Sequence, residues 1–347
     1  VMIAVVSTAG FSQDFDTEGL ADVFGGFAEG VARALPMAST VGLQWSDAYI
    51  GKLPHLGVGA SVGFASIPLT AVNPVLQEIG MDDLLEIIPE EAAPFFEAGL
   101  VGFPLPALVL DARLGGIILP FDIGVKYGWI PEDLNAEIET ELEGMEVDYQ
   151  LFGVDLRYAL LEEPKGFTLI PDLSVGIGYN YYWGHFALPM DEGFTSYTID
   201  VPSKTGTQTY TIGMENPKVG FEWESHVIDV KAQLSKTILW LFQPYIGVGA
   251  SYGRSKAGGG LFVDGISGDI DALIEAANNE LGNLEDFGFA LPADQDGIIV
   301  NSELNSWGFR AFGGLGINLF FLKVDASIMY DIIGQSLGAQ VGLRLQF

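Results

Sequence analysis

The sequence has no cysteine. Disulfides, thiolate metal sites and thiol nucleophiles within these residues are therefore excluded, and no lipid anchor on an N-terminal cysteine is expected. Basic residues are scarce: 15 Lys and Arg stand against 46 Asp and Glu, giving a formal net charge of −31 and a pI near 4.1. So acidic a chain repels nucleic acid, whose recognition needs basic patches to neutralise phosphate, and it lacks the basic face of a peripheral membrane binder. The three histidines, His55, His185 and His226, do not cluster in the sequence. No nucleophile elbow, paired-histidine zinc motif or phosphate-binding loop occurs, so the chain reads as a non-enzyme with no cofactor and no metal. Asp294-Gln295-Asp296-Gly297, followed by Asn301 and Glu303, approaches a calcium loop, but its glycine comes too early for an EF-hand. Long apolar runs are also missing. No stretch of about 18 uncharged apolar residues is present, which argues against a helical membrane protein.

Hydrophobic content is nevertheless 49 % and mean hydropathy +0.32. High hydropathy without membrane-spanning helices leaves a β-barrel as the natural reading, and 45 glycines with 12 % aromatics agree with it. The stretch Ser336–Phe347 carries the pattern most plainly. Leu337, Ala339, Val341, Leu343, Leu345 and Phe347 alternate with Gly338, Gln340, Gly342, Arg344 and Gln346. Successive side chains of a strand point to opposite faces, so one face is apolar and the other small or polar. The stretch resembles the closing strand of a bacterial outer-membrane barrel, a β-signal ending in Phe. It implies the barrel assembly machinery as a partner and a periplasmic Phe347.

Period two recurs over about eleven segments, near 40–50, 55–66, 106–115, 120–129, 148–161, 169–186, 218–235, 243–256, 305–319, 322–333 and 336–347. Short and long connections alternate, the long ones near 67–105, 130–147, 187–217 and 257–304, as tight periplasmic turns and long outer loops require. Bacterial barrels are even-stranded, so the expected fold is all-β: an antiparallel transmembrane barrel of about 12–14 strands over 39–347. Ser196–Val201 and Gln208–Gly213 are compatible with a hairpin extended above the membrane, with a missed twelfth strand as the alternative.

The start of the chain differs. Residues 1–12 resemble the tail of a secretory signal peptide, an apolar run followed by small residues. Within the segment 13–38, Leu20, Val23, Phe24, Phe27, Val31 and Leu35 form one helical stripe, with Asp16 or Thr17 as cap and Pro36 near the end. At 1.5 Å per residue a helix over 16–37 spans roughly 33 Å, long enough to thread the lumen as a plug.

The polar strand faces carry Asp111, Arg113, Asp122, Lys126, Asp155, Arg157, Asp229, Lys231, Arg310, Lys323, Asp325 and Arg344. Facing lipid, each would cost about 2–4 kcal/mol at mid-bilayer, so they are expected to line the lumen, as a ladder of salt bridges or as a polar path. The same faces carry many glycines, among them Gly57, Gly247, Gly316 and Gly338, which leave room for a plug or a ligand. Two long loops hold apolar runs: Phe95, Phe96 and Leu100 in 70–105, and Ile270, Leu273 and Ile274 in 267–282. The second reads as a helix capped by Ser267 or Asp269. With Phe27, these six are the candidate contacts for a small hydrophobic molecule.

The signal-like start, the segment before the barrel and the apolar outer loops resemble the long-chain fatty-acid transporters of the FadL type. That family's hatch carries Asn-Pro-Ala, where this chain has Ala34-Leu35-Pro36-Met37; Asn73-Pro74 lies in a loop instead. The resemblance implies an outer-membrane barrel in contact with membrane lipid that passively transports small hydrophobic molecules. The alternatives are a structural or surface-exposed interaction barrel without transport, and a general porin.

Overall fold

The computed structural model describes residues 17–71, 73, 102–117, 119–141, 145–164, 169–189, 196–203, 206–216, 218–262, 265–268, 289–290 and 297–347. The signal-like residues 1–12 lie outside them. No helix among the described residues is long and apolar enough to cross a membrane.

Strands form where the period is two. β1 (Leu56–Ile67), β2 (Phe103–Gly115), β3 (Phe121–Trp129), β4 (Glu146–Leu161) and β5 (Asp172–Pro189) follow one another around a sheet. β6 (Ser196–Ser203) and β7 (Gly206–Glu215) leave that sheet as a hairpin, which decides between the two readings of this stretch. β8 (Lys218–Ser235) and β9 (Phe242–Phe262) rejoin it. β10 (Gly265–Gly268) pairs with β7, and the short β11 (Phe289–Ala290) with β12 (Gly297–Leu319). β13 (Leu322–Asp331) and β14 (Ser336–Gln346) return to β1. The β9–β12 pairing closes the ring, and every pairing is antiparallel. The result is a closed barrel of ten strands, in the order β1-β2-β3-β4-β5-β8-β9-β12-β13-β14.

The barrel has ten strands rather than the expected 12–14, and of the eleven segments of period two one does not form a strand. Residues 40–50 alternate in sequence but form irregular coil, with Gly42 and Leu43 in the left-handed region at φ 79° and 55°. Every residue from 34 to 50 is buried, so the segment is covered on all sides rather than on alternate faces. Without it the count is even. β1 starts at the same end of the barrel as Phe347, where Leu56 and Phe347 exchange backbone hydrogen bonds of 3.1 and 2.8 Å. Residues 116–120, 162–171, 236–241 and 320–321 make the tight connections at that end. The long connections lie at the other end, and one of them contains the helix α2 (Glu132–Glu141). One tight connection, 332–335 between β13 and β14, breaks the expected alternation. Ser267 sits in β10, and the helix expected in 267–282 otherwise falls on 269–288, which lie outside the described residues.

Burial along β4 shows the inverted character of the wall. Asp155 and Arg157 are buried with Tyr149 and Leu151, while Phe152, Leu156 and Tyr158 are exposed. The other strands repeat the pattern, leaving a belt that includes Val62, Val125, Ile177, Val248, Ile328 and Val341 on the outside. β5, β8, β9 and β12 are longer than β3, β13 and β14, so one side of the barrel rises above the other. The helix α1 (Thr17–Ala38) packs against β9 and β12, with β1, β8 and β14 beside it. Phe27, Val31 and Leu35 of the expected stripe are buried, with Ala28, Ala32 and Ala34 completing the contact face. Gly30 permits a close approach, because a Cβ there would collide with Ala71. Gly25 and Gly26 face open space.

Candidate functional site

The twelve charged residues expected in the lumen all lie on the inward face, buried or nearly so. They bind one another in part. Arg113 reaches Asp122 at 2.5 Å and Asp155 at 2.8 Å. Arg157 clasps both oxygens of Asp122 at 2.9 Å, Lys231 meets Asp155 at 2.8 Å, and Arg310 takes Asp229 in a two-pronged bond at 2.5 and 3.0 Å. Bidentate geometry is what makes a guanidinium–carboxylate pair hold in a buried setting.

The second partner of this wall is the coil after α1. A coil buried in a lumen has backbone donors and acceptors with no ladder to satisfy them, and each one left unpaired costs about 1–3 kcal/mol. Side chains of the wall supply the missing partners. Lys126 Nζ donates to the Ser39 and Val41 carbonyls at 2.6 Å each. Arg113 donates to Leu43 O, and Arg157 to Asp47 O. Gln340 Oε1 accepts from Gly42 N at 3.0 Å, and Gln340 Nε2 donates to Gln44 O. Gln233 Nε2 donates to Trp45 O at 2.7 Å. Asp325, Ser235 and Asp122 accept the amides of Ser46, Ala48 and Ile50.

Two coil side chains fix its register. Trp45 donates its indole N–H to Asp111 at 2.9 Å and lies between two guanidinium groups, Arg344 at 4.6 Å and Arg113 at 5.5 Å from its ring centre. Cation–π contacts of this kind are worth about 2 kcal/mol when desolvated. Gly57 faces the ring where any side chain would overlap it, and Gly316 stands in the same way against Ser46. Asp47 accepts from Lys323 at 2.8 and 2.9 Å, from Gln243 at 3.0 Å, and from Arg344, which also pairs with Asp325. Burial alone would raise the Asp47 carboxyl, but the Lys323 and Arg344 charges hold it well below the ordinary carboxylate range.

Above this polar layer the contacts of α1 are aromatic. Phe27 packs edge-on against Phe221, with ring centres 5.1 Å apart. Phe221 continues to Phe186 and Trp223, and Trp223 to Tyr182. Of the candidate hydrophobic-ligand contacts only Phe27 is described, and it is packed inside this cluster. Phe95, Phe96, Leu100, Ile270, Leu273 and Ile274 fall outside the described residues. Sequence reasoning missed Trp45 and Asp47, because 40–50 reads as strand, and it missed Gln233, Gln243 and Gln340. Gln233 and Gln340 were findable: they share the strand faces of Lys231 and Arg344, charges already placed inside. No group of His, Cys, Asp or Glu able to hold a metal ion occurs among the described residues.

A family model described as Lsa36-like matches residues 5–347. No curated protein matches. Among solved structures, the chain is similar to the outer-membrane protease OmpT of Escherichia coli (11% identity, TM-score 0.35, 85% of this chain and 97% of that one). It is also similar to the transport unit of the autotransporter AIDA-I of Escherichia coli (10%, 0.32, 92% and 99%). The translocator domain of the autotransporter NalP of Neisseria meningitidis is a third (9%, 0.33, 94% and 99%).

Proposed function

The chain belongs to the Lsa36-like family, and from that premise we propose that it is an outer-membrane β-barrel closed by its own N-terminal segment, with the long acidic connections as its working surface. The apolar outer belt supports the membrane assignment, because a face of Val, Ile, Leu and aromatic side chains is stable in hydrocarbon and not in water. Tight turns are periplasmic and long connections external in such barrels, which puts Phe347 on the periplasmic side. The observation that supports the closed-barrel reading is the use of the wall's buried polar and charged side chains: among the described residues they bind the backbone and side chains of Ser39–Ile50. A general porin needs an open, hydrated constriction, and the burial of every residue from 34 to 50 speaks against one.

Planar-bilayer recording tests the proposal. The intact chain is expected to be silent, and a variant lacking 17–50 to open stable channels. Steady conductance from the intact chain at the level of the deletion variant overturns the closed reading. One observation favours a second reading, passive transport of a small hydrophobic molecule: the aromatic cluster of Phe27, Phe221, Phe186, Trp223 and Tyr182 between α1 and strands β5 and β8. Saturable binding of a fluorescent fatty acid, lost in Phe27→Ala with Phe221→Ala, selects that reading. Absence of binding leaves the closed display barrel.

A further inference from the structure

Tight turns at the rim of a barrel are ordinarily polar, with Gly, Asn or Asp where the backbone turns left-handed. Here they are greasy. Ile117 is 75 % exposed, Leu169 91 %, Trp240 68 % and Phe320 89 %, one in each of the four tight turns at the Phe347 end. Where a fifth turn would sit, between β14 and β1, Phe347 is 64 % exposed and stacks on Phe321 at 6.4 Å. Leu239, Trp240 and Phe320 adopt positive φ of 50°, 54° and 60°, a region that bulky side chains rarely adopt. These residues sit against the local backbone preference, so something outside the turn favours them.

We propose that this ring of turn tips is seated in lipid, at the boundary between headgroups and acyl chains of the periplasmic leaflet, and fixes the depth of the barrel. The inference rests on the membrane reading above. The occupant follows from the distribution of the residues. They stand in alternate gaps between strands around the whole circumference, where a protein partner would need a single contiguous patch. They also adjoin the apolar outer belt: Phe242, Leu319 and Leu345 lie next to them and are exposed. Part of the charge beside them is paired internally, while Lys52 and Glu162 stay exposed at the same rim. Lys236 pairs with Glu163, whose other oxygen accepts Thr237 N at 3.0 Å and whose own N–H donates to Asp172 at 2.6 Å. Aromatic residues favour this interfacial depth, which suits Trp240 beside Phe320, 6.3 Å between ring centres.

A chain without cysteine makes the test direct. Phe320→Cys and Leu169→Cys, each labelled with an environment-sensitive fluorophore, are reconstituted in phosphatidylcholine vesicles with and without bromine on the acyl chains. Val341→Cys, in the belt, and Glu132→Cys, on the exposed start of α2, are the controls. The expected result is blue-shifted emission and strong bromine quenching at Phe320 and Leu169, as at Val341, with none at Glu132. Water-like, unquenched emission at Phe320 and Leu169 beside a quenched Val341 overturns the seated ring and leaves the membrane reading standing. An unquenched Val341 removes both.

Discussion

At the residue scale the lumen depends on a few side chains with several partners each. Asp47 is held by two cations and a glutamine, so its removal leaves Lys323 and Arg344 close together and under-compensated. Breaking a buried ion pair from one side costs about 3–5 kcal/mol. Asp47→Ala is accordingly expected to lower the denaturation midpoint followed by far-UV circular dichroism, and to give intermittent channel openings in bilayers. The pH dependence has a definite sign. A carboxyl whose folded pKa is depressed contributes stability that is complete above its unfolded value of about 3.9 and is lost as pH falls through the lower folded value. Protease protection of 39–50 should therefore persist to about pH 4 and fail only in stronger acid. Protection lost near pH 6 would show that another group controls the clamp. Trp45 separates packing from hydrogen bonding. Trp45→Ala removes a ring packed between two guanidinium groups, at a cost of about 3–5 kcal/mol. Trp45→Phe keeps an aromatic face and loses the Asp111 bond, costing about 1–3 kcal/mol. Equal losses would mean that the ring's stacking contributes nothing.

The element scale concerns how α1 joins its coil. A helix leaves its last carbonyls without intrahelical partners, and Lys126 supplies a cationic donor just beyond Ala38, at Ser39 and Val41. Favourable charge at a helix C-terminus adds to the bonds themselves. Lys126→Met is expected to accelerate amide exchange over 35–42 at least tenfold while β3 and β4 exchange as before. Uniform acceleration throughout the barrel would instead identify Lys126 as a support of the wall. The ten strands of the ring need no such device, since each is paired on both sides.

For the whole molecule, polarity is inverted relative to a water-soluble barrel: ion pairs inside, Val, Ile and Leu outside. A charge on the belt is worth about 2–4 kcal/mol against insertion at mid-bilayer. Val341→Arg should reduce folding into vesicles, read as loss of the heat-modifiable band on unboiled gels, whereas Glu132→Arg on α2 should leave it unchanged. Equal folding of the two variants would place the belt outside the membrane. The taller wall of β5, β8, β9 and β12 adds an asymmetry that a uniform pore lacks, and its inner face carries the aromatic contacts of α1.

What the sequence determined by itself is the periodic part. Alternation fixed ten of the strands and their inward faces, because a strand has period two whatever it pairs with. The apolar stripe from Leu20 to Leu35 fixed α1 to within a residue or so at each end. The tertiary structure decided the fate of 40–50. Val41, Leu43 and Trp45 alternate with Gly42, Gln44 and Ser46 as in any strand, and periodicity cannot distinguish a segment covered on one face from a segment covered on all sides. Its partners, among them Asp111, Asp122, Gln233, Gln340 and Arg344, lie tens to hundreds of residues away, and only barrel closure brings them around one short coil. The inward charges were legible as inward; their task, holding a backbone that has no strand to pair with, exists only once the ring is closed.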